Sequence, residues 1–253
     1  MEQIQLLALQ NFPLIEPGDN LDSIIFDSIL KNHIDICDGD VFIIAQKIIS
    51  KAEDRYLNLS SLSLSSEAVS LSEKMNRDPY FIQAVINESN EIVSIGKNVI
   101  IVEHKLGFIN INAGIDKSNI SQEINQVLLL PENPSKSADL IQKKLSQKLE
   151  KNISVVITDS MTRPYRSGIT NFALASANLQ SLIDLTGDKD IYGNLLKNTE
   201  IAIADEIAAA SGLLMGQGSD MQPVILLKGF NKDKYAINNA IDLIVEKKDD
   251  LYR

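Results

Sequence analysis

The chain has 253 residues, of which 44% are hydrophobic and 23% charged. That length fits one core or two modest ones, and that composition excludes a disordered or fibrous chain. Net charge is −10, from 24 basic and 34 acidic residues, which argues against non-specific nucleic-acid binding but leaves room for a small anion on a local basic cluster.

Residues 4–9 read as a first strand. The surrounding N-terminus, MEQIQLLALQ, has Glu2 and no Lys or Arg, so it is a poor signal peptide and a cytoplasmic location is the default. Residues 21–32 read as a helix with Leu21, Ile24, Ile25 and Ile29 on one face. Cys37 is the only cysteine, which excludes an intramolecular disulfide and a cysteine-based zinc knuckle. Residues 41–45 read as a strand. The serine-rich stretch 60–72 carries leucines and a valine that make it a helix entry more than a linker. Asp78 before Pro79 marks a helix start that leads into Phe81, Ile82, Val85 and Ile86. Strands follow over 99–102 and 108–111, a helix over 137–149, then strands over 153–157 and 172–175. The alanine-rich stretch 199–214 is apolar on most faces and reads as a buried helix, followed by a strand over 224–227. No run approaches the roughly 18 apolar residues of a membrane span. Strands and helices mix without a strict βαβ rhythm, so the fold class is α/β or, more broadly, a mixed α+β arrangement.

Five segments look unlike packing material. Asn11-Phe12-Pro13-Leu14 follows the first strand and is, by itself, a turn before a proline. Gln46, Lys47, Ser50 and Lys51 follow the strand at 41–45, where phosphates often bind in α/β proteins; ordinary surface lysines would look the same. The stretch Asn110 to Asn119 is an asparagine-rich turn with Gly114 that presents Asp116 and Asn119. Those oxygens suit a hard cation, and an Asx-turn is the plain alternative. Asp159 and Ser160 leave a buried strand for a loop with Arg163 and Arg166. An aspartate and a hydroxyl suit a metal, and the arginines suit a phosphate or a carboxylate. Met215, Gly216, Gln217, Gly218, Ser219 and Asp220 leave the alanine-rich helix, and their glycines permit backbone approach to a phosphate. That loop is neither a P-loop nor a dinucleotide fingerprint. His33 and His104 cannot make a multi-histidine metal site, and no Gly-x-Ser-x-Gly elbow or kinase signature is present.

Taken in order, GDVFIIAQKIISKAEDR, FIQAVINES, FININAGIDKSN, LLLPENPSKSA, VVITDSMTRPYRSG, KDIYGNLLKNTEIAIADEIAAASGLLMGQGSD and PVILLKG resemble the coenzyme F-420:gamma-glutamyl ligase family over nearly the whole chain. The resemblance implies that family's own α/β fold and an intertwined homodimer. It implies one ligase domain over 1–253, with room for a second lobe drawn from about 120–200 and no C-terminal flavin-reductase extension. The implied activity adds L-glutamate in gamma linkage to a deazaflavin cofactor precursor, coenzyme F-420-0, with GTP as co-substrate and two magnesium or manganese ions. The acceptor carboxylate would first become an acyl phosphate. By resemblance, Asp116 and Asp159 would be metal ligands and Ser160 would serve a second metal. Gln46, Lys47, Lys51 and Asn119 would touch the nucleotide, the 215–220 loop would cover its phosphates, and Pro13 and Leu14 would border the base. Arg163 and Arg166 are assigned to anionic acceptor groups or the incoming glutamate by charge and position alone. Gln217 stands where the family is expected to carry an acidic ligand of the second metal. Asn194 stands where arginine is frequent, and SGITNFALASAN is poorer in glycine than expected. Two rivals arise from these departures: a nucleotide-dependent amide ligase with another carboxylate acceptor, and a non-catalytic nucleotide-binding homologue.

Overall fold

The structure, a computed structural model, describes residues 3–120, 125–230 and 236–252. Its elements in chain order are β1 (Gln5–Ala8), α1 (Leu21–Lys31), β2 (Val41–Ala45), α2 (Gln46–Ala52), β3 (Tyr56–Asn58), α3 (Ser66–Met75) and α4 (Pro79–Asn87). Then come β4 (Ser89–Ile95), β5 (Ile100–His104), β6 (Ile109–Ile111), β7 (Gln126–Leu128), α5 (Pro134–Leu149), β8 (Ser154–Arg163), β9 (Arg166–Ala177), β10 (Ile183–Asp184), β11 (Glu200–Ile201), α6 (Ile203–Met215) and β12 (Val224–Lys228).

The main sheet has the order β1-β12-β2-β8-β9. Only β2 and β8 run parallel; the other neighbours are antiparallel. Its central strands are nearly continuous apolar runs because both faces are covered. On one face Phe42, Ile44, Val155, Ile157, Val224 and Leu226 pack with α1, α2 and α5. On the other, Val41, Ile43, Val156, Ile225 and Leu227 pack with α6 and with Ala240 of the 3₁₀ turn Ala240–Leu243. The result is a mixed α/β fold, as the pattern predicts. Among the described residues no helix is long and apolar enough to cross a membrane.

The chain between β3 and β7 builds a separate hydrophobic cluster. Ala68 and Met75 of α3, Phe81, Ile82 and Val85 of α4, and Ile100 and Val102 of β5 close over the sheet β4-β5-β6. The resemblance leaves room for a second lobe drawn from about 120–200; the separate cluster seen among the described residues runs from Leu59 to Val127.

Several local expectations change. The stretch from Asp159 to Arg166 is not a loop: β8 and β9 form one long hairpin that closes at Pro164 and Tyr165. Cross-strand pairing, not burial, carries these polar residues as strand. Gln46 to Lys51 is not an open strand end but the helix α2. The alanine-rich helix starts at Ile203, after the short strand β11, and buries one face only. Ala204, Ile207, Ala208 and Ser211 are buried, while Leu213 is 84% exposed.

Candidate active site

A cavity of about 910 Å³ opens beside the carboxyl end of β2, where α2, the start of the β8–β9 arm and the loops after β1, β6 and α6 meet. It is lined by Pro13, Leu14, Gln46, Lys47, Lys51 and Asn119, by Asp116, Asp159 and Ser160, and by Met215, Gly216, Gln217, Gly218 and Ser219. Five segments separated by up to two hundred residues thus converge. Three expected residues do not line it. Arg163 and Arg166 face each other at the hairpin tip, where Arg163 Nη2 donates to the Ser167 carbonyl. Asp220 supports the loop from within: its Oδ2 accepts from the Gly218 amide at 3.2 Å.

Each contributor is held by ordinary local physics. Phe12 and Ile15 are anchored in the core at 3% and 4% exposure, and between them Pro13 and Leu14 are turned outward. Gln46 opens α2 directly from the buried β2, and Ala45 is tied to the Pro223 carbonyl. Asp116 comes after a turn in which Asn112, Ala113 and Gly114 all have positive φ. A backbone bridge to Leu128, 2.9 Å and 3.0 Å in the two directions, then fixes it. Gly216 ends α6 at φ 69°, ψ −177°, a conformation essentially reserved for glycine. A Cβ there would come 2.1 Å from Asp220 Oδ2.

Adjacent strand residues point to opposite faces. Asp159 therefore faces the α2 side, where Asp116 and Gln46 lie, and Ser160 faces the α6 side, where its partner across the ladder is Asn171. A register shift between Ile157 and Thr158 leaves one extra residue, Leu174, on β9. The bulge resets which side chains share a face: Ala175 joins the α5-side core, whereas Ala173 joins the α6-side core.

The electrostatics centre on two carboxylates. Asp116 Oδ2 accepts from Gln46 Nε2 at 2.7 Å, and Oδ1 lies 3.2 Å from Lys47 Nζ. Gln46 is itself fixed by Ser50, whose hydroxyl donates to its Oε1 at 2.8 Å. Burial lifts the Asp116 carboxyl above the usual range, against the pull of Lys47 and Gln46. Asp159 is pushed up to about 7, first by burial and then by the charge of Asp116; the Ser160 amide, Lys47 and Gln46 oppose this. Burial and the Lys47 charge both lower the Lys51 ammonium, and Asp116 partly restores it.

Two carboxylates forced together in this way accommodate a hard divalent cation, which removes their mutual repulsion. Among the described residues no group of three or more His, Cys, Asp and Glu side chains gathers into a metal site. The donor set is instead the one magnesium tolerates: one or two carboxylates, the remainder supplied by phosphate and water. Lys47 and Lys51 add positive charge beside the pair, so the cavity suits a polyanion that arrives with its cation.

Tyr56, Ile169, Asn171 and Met221 also line the cavity and were not singled out from the sequence. For Asn171 a signal existed. In the ladder it lies opposite Ser160, so a hairpin assignment would have placed it in the site.

A mixed α/β fold whose cleft gathers a carboxylate pair, two lysines and a glycine loop has the charge and shape to suit a phosphorylated ligand. The match is more specific than that: the family model described as F420-0:Gamma-glutamyl ligase covers residues 10–229, and the chain belongs to this family. It is accordingly an enzyme of the ligase class. It is 35% identical to the coenzyme F420:L-glutamate ligase of Methanothermobacter thermautotrophicus, over 90% of this chain and 89% of that one. The same-named protein of Methanocaldococcus jannaschii is 36% identical over 99% and 97% of the two chains. That of Methanosarcina mazei is 38% identical over 90% and 87%.

Proposed function

We propose that the protein is a GTP- and metal-dependent ligase that joins L-glutamate, in gamma linkage, to the carboxylate of coenzyme F420-0. The observation that carries this reading is the convergence of Asp116, Asp159, Lys47, Lys51 and the 215–219 loop on one cavity, in a chain of the F420-0 ligase family. Joining a carboxylate to an amine in water is uphill, so the carboxylate must be activated. The γ-phosphoryl group of GTP passes to it and gives an acyl phosphate. The glutamate amine attacks the acyl carbon, the amide bond forms, and phosphate leaves with the electron pair of the broken C–O bond.

In this reading Pro13 and Leu14 border the base. Lys47, Lys51 and Gln46 orient the phosphates, Asn119 contacts the nucleotide, and the amides of the glycine loop lie over the phosphates. Asp116 and Asp159 would hold a magnesium or manganese ion, and Ser160 and Gln217, on the opposite face of the arm, would serve a second. Bound there, the metal would neutralise charge on the phosphate oxygens during transfer. Asp116 keeps its place through Gln46 and the Leu128 bridge, so the ligand oxygens are set before the nucleotide arrives.

The reading includes a cytoplasmic homodimer. Ile191 at 91%, Tyr192 at 85% and Leu213 at 84% exposure, together with the projecting β8–β9 arm, supply apolar surface that a second copy would cover. Light scattering on the purified chain should give twice the chain mass; a monomer at micromolar concentration would remove this part.

The direct test incubates the protein with coenzyme F420-0, GTP, magnesium and L-glutamate and reads products by mass spectrometry. The expected result is acceptor heavier by glutamyl units, with GDP and phosphate formed only when acceptor is present. No mass gain under these conditions, with the protein folded, would overturn the assignment.

A further inference from the structure

Asn171 occupies a point where three elements meet. It sits on β9 opposite Ser160 and is 5% exposed. Its Oδ1 accepts a hydrogen bond from Gln217 Nε2 at 2.8 Å. Its Nδ2 points to the Met215 sulfur at 3.7 Å. Its amide lies flat against Gly212 of α6, where a Cβ would come 3.2 Å from Asn171 Cγ. The side chain is therefore packed on one side, bonded on the other, and delivered to this face by the bulge at Leu174.

A glutamine side chain can meet a nucleotide site in two ways. Its nitrogen can donate to a phosphate, or its oxygen can ligate a cation. A carboxylate offers an oxygen in either orientation, whereas an amide must be turned. Asn171 engages the nitrogen end.

We propose that Asn171 is a positioning residue for Gln217: by taking the amide N–H it leaves the amide oxygen as the end open to a cation accompanying the bound nucleotide. This rests on the reading of the cavity as a metal–nucleotide site. It explains how a neutral residue serves where the resemblance leads one to expect an acidic one. It also assigns Gly212 a purpose, since a larger residue there would push the Asn171 amide out of line.

The test measures manganese binding to the full-length protein with a non-hydrolysable GTP analogue, by electron paramagnetic resonance and calorimetry, for single and double variants. Asn171→Ala should raise the manganese concentration for half-saturation by roughly tenfold, the scale of one lost orienting hydrogen bond, and should weaken metal-free analogue binding by a smaller factor than it weakens manganese binding. Asn171→Asp keeps an acceptor in place and should retain binding. Gln217→Glu should tighten manganese binding and make it insensitive to Asn171→Ala, because a carboxylate needs no turning. Equal weakening by Asn171→Ala in the Gln217 and Gln217→Glu backgrounds would reduce Asn171 to a packing residue and overturn the proposal. So would wild-type manganese binding in Asn171→Ala. If Gln217→Glu leaves manganese binding unchanged while ligation persists, Gln217 is not a ligand and the positioning role falls, with the glutamate-ligase reading intact.

Discussion

Asp159 is where single-atom chemistry has the largest expected effect. Asp159→Asn keeps the size of the side chain and removes the charge that faces Asp116. Relief of a raised, half-buried carboxylate should leave thermal stability equal or higher, while ligation falls by at least two orders of magnitude. Near-normal turnover at saturating magnesium would remove Asp159 from the site. Lys51→Ala should raise the GTP Michaelis constant by an amount corresponding to about 1.5–3 kcal/mol, the usual strength of a hydrogen bond to a charged group. Unchanged nucleotide affinity would make Lys51 a bystander. His104 offers a prediction away from the cavity. Its Nδ1 accepts from the Leu106 amide at 2.9 Å, its ring stacks on Phe108, and its Nε2 has no hydrogen-bond partner among the described residues. Burial, with Lys105 and Arg55 nearby, holds it down to about 4 from an ordinary 6.5. The Glu88 carboxylate, 3.9 Å away, does not offset this. Between those two values the unfolded chain binds the proton and the folded one refuses it. Stability therefore falls as pH drops from about 6.5 to about 4, by roughly 3 kcal/mol in all, and is unaffected by this group above that window. His104→Phe keeps the stack and cannot titrate, so urea midpoints measured across the window should lose that part of their slope.

At the level of elements, the sequence was most legible where burial alone decides. Residues 41–45 are strand to the residue because every side chain from Val41 to Ile44 is buried, and Asp78-Pro79 starts α4 as a cap should. The Asp78 carboxylate accepts from the Tyr80 amide at 3.0 Å. Asp78→Ala should therefore cost about 1 kcal/mol in chemical denaturation, with the slope of the transition unchanged. Legibility failed where partners outweigh local composition. Gln46–Ala52 reads from the sequence only as the polar end of the strand at 41–45, with no helix expected there. Only the tertiary demand that Ile48 and Ile49 enter the core and Gln46 meet Asp116 makes it a helix. TDSMTR reads as loop because it is polar, yet the facing strand supplies its hydrogen bonds. The same failure hid Asn171. The residues of the cavity could be picked out by type, but their sorting onto two faces of the arm depends on strand register and a bulge, which no periodicity reveals. The arginines of the tip illustrate the converse. Their charge suggested a site that the length of the hairpin carries them past.

Across the whole molecule, the C-terminal segment links parts that are distant in sequence. The Asn238 side chain accepts from the Ser181 and Leu182 amides at 2.7 and 3.0 Å and donates to the Leu182 carbonyl. Asn239 and Ala240 bind Ser176, Lys247 pairs with Glu91, and Tyr252 rests on Tyr165 at the arm's tip. Asn238→Ala strips partners from the amides behind β9. It should lower stability by about 2 kcal/mol, and hydrogen exchange should show faster opening at Ser181 and Leu182 than in the β4-β5-β6 sheet. The strand order has a different kind of consequence. Gln5 pairs with Lys228, and among the described residues β1 has no other neighbour in the sheet. The parallel partners β2 and β8 are separated by the whole lobe that holds α3 and α4. A chain leaving the ribosome thus presents β1 and one edge of β2 long before β12 exists to cover them. The intervening lobe, whose contacts are local, can close first. The main sheet is completed only once β12 has emerged, a topology in which folding is slow and unpaired edges must be shielded in the meantime.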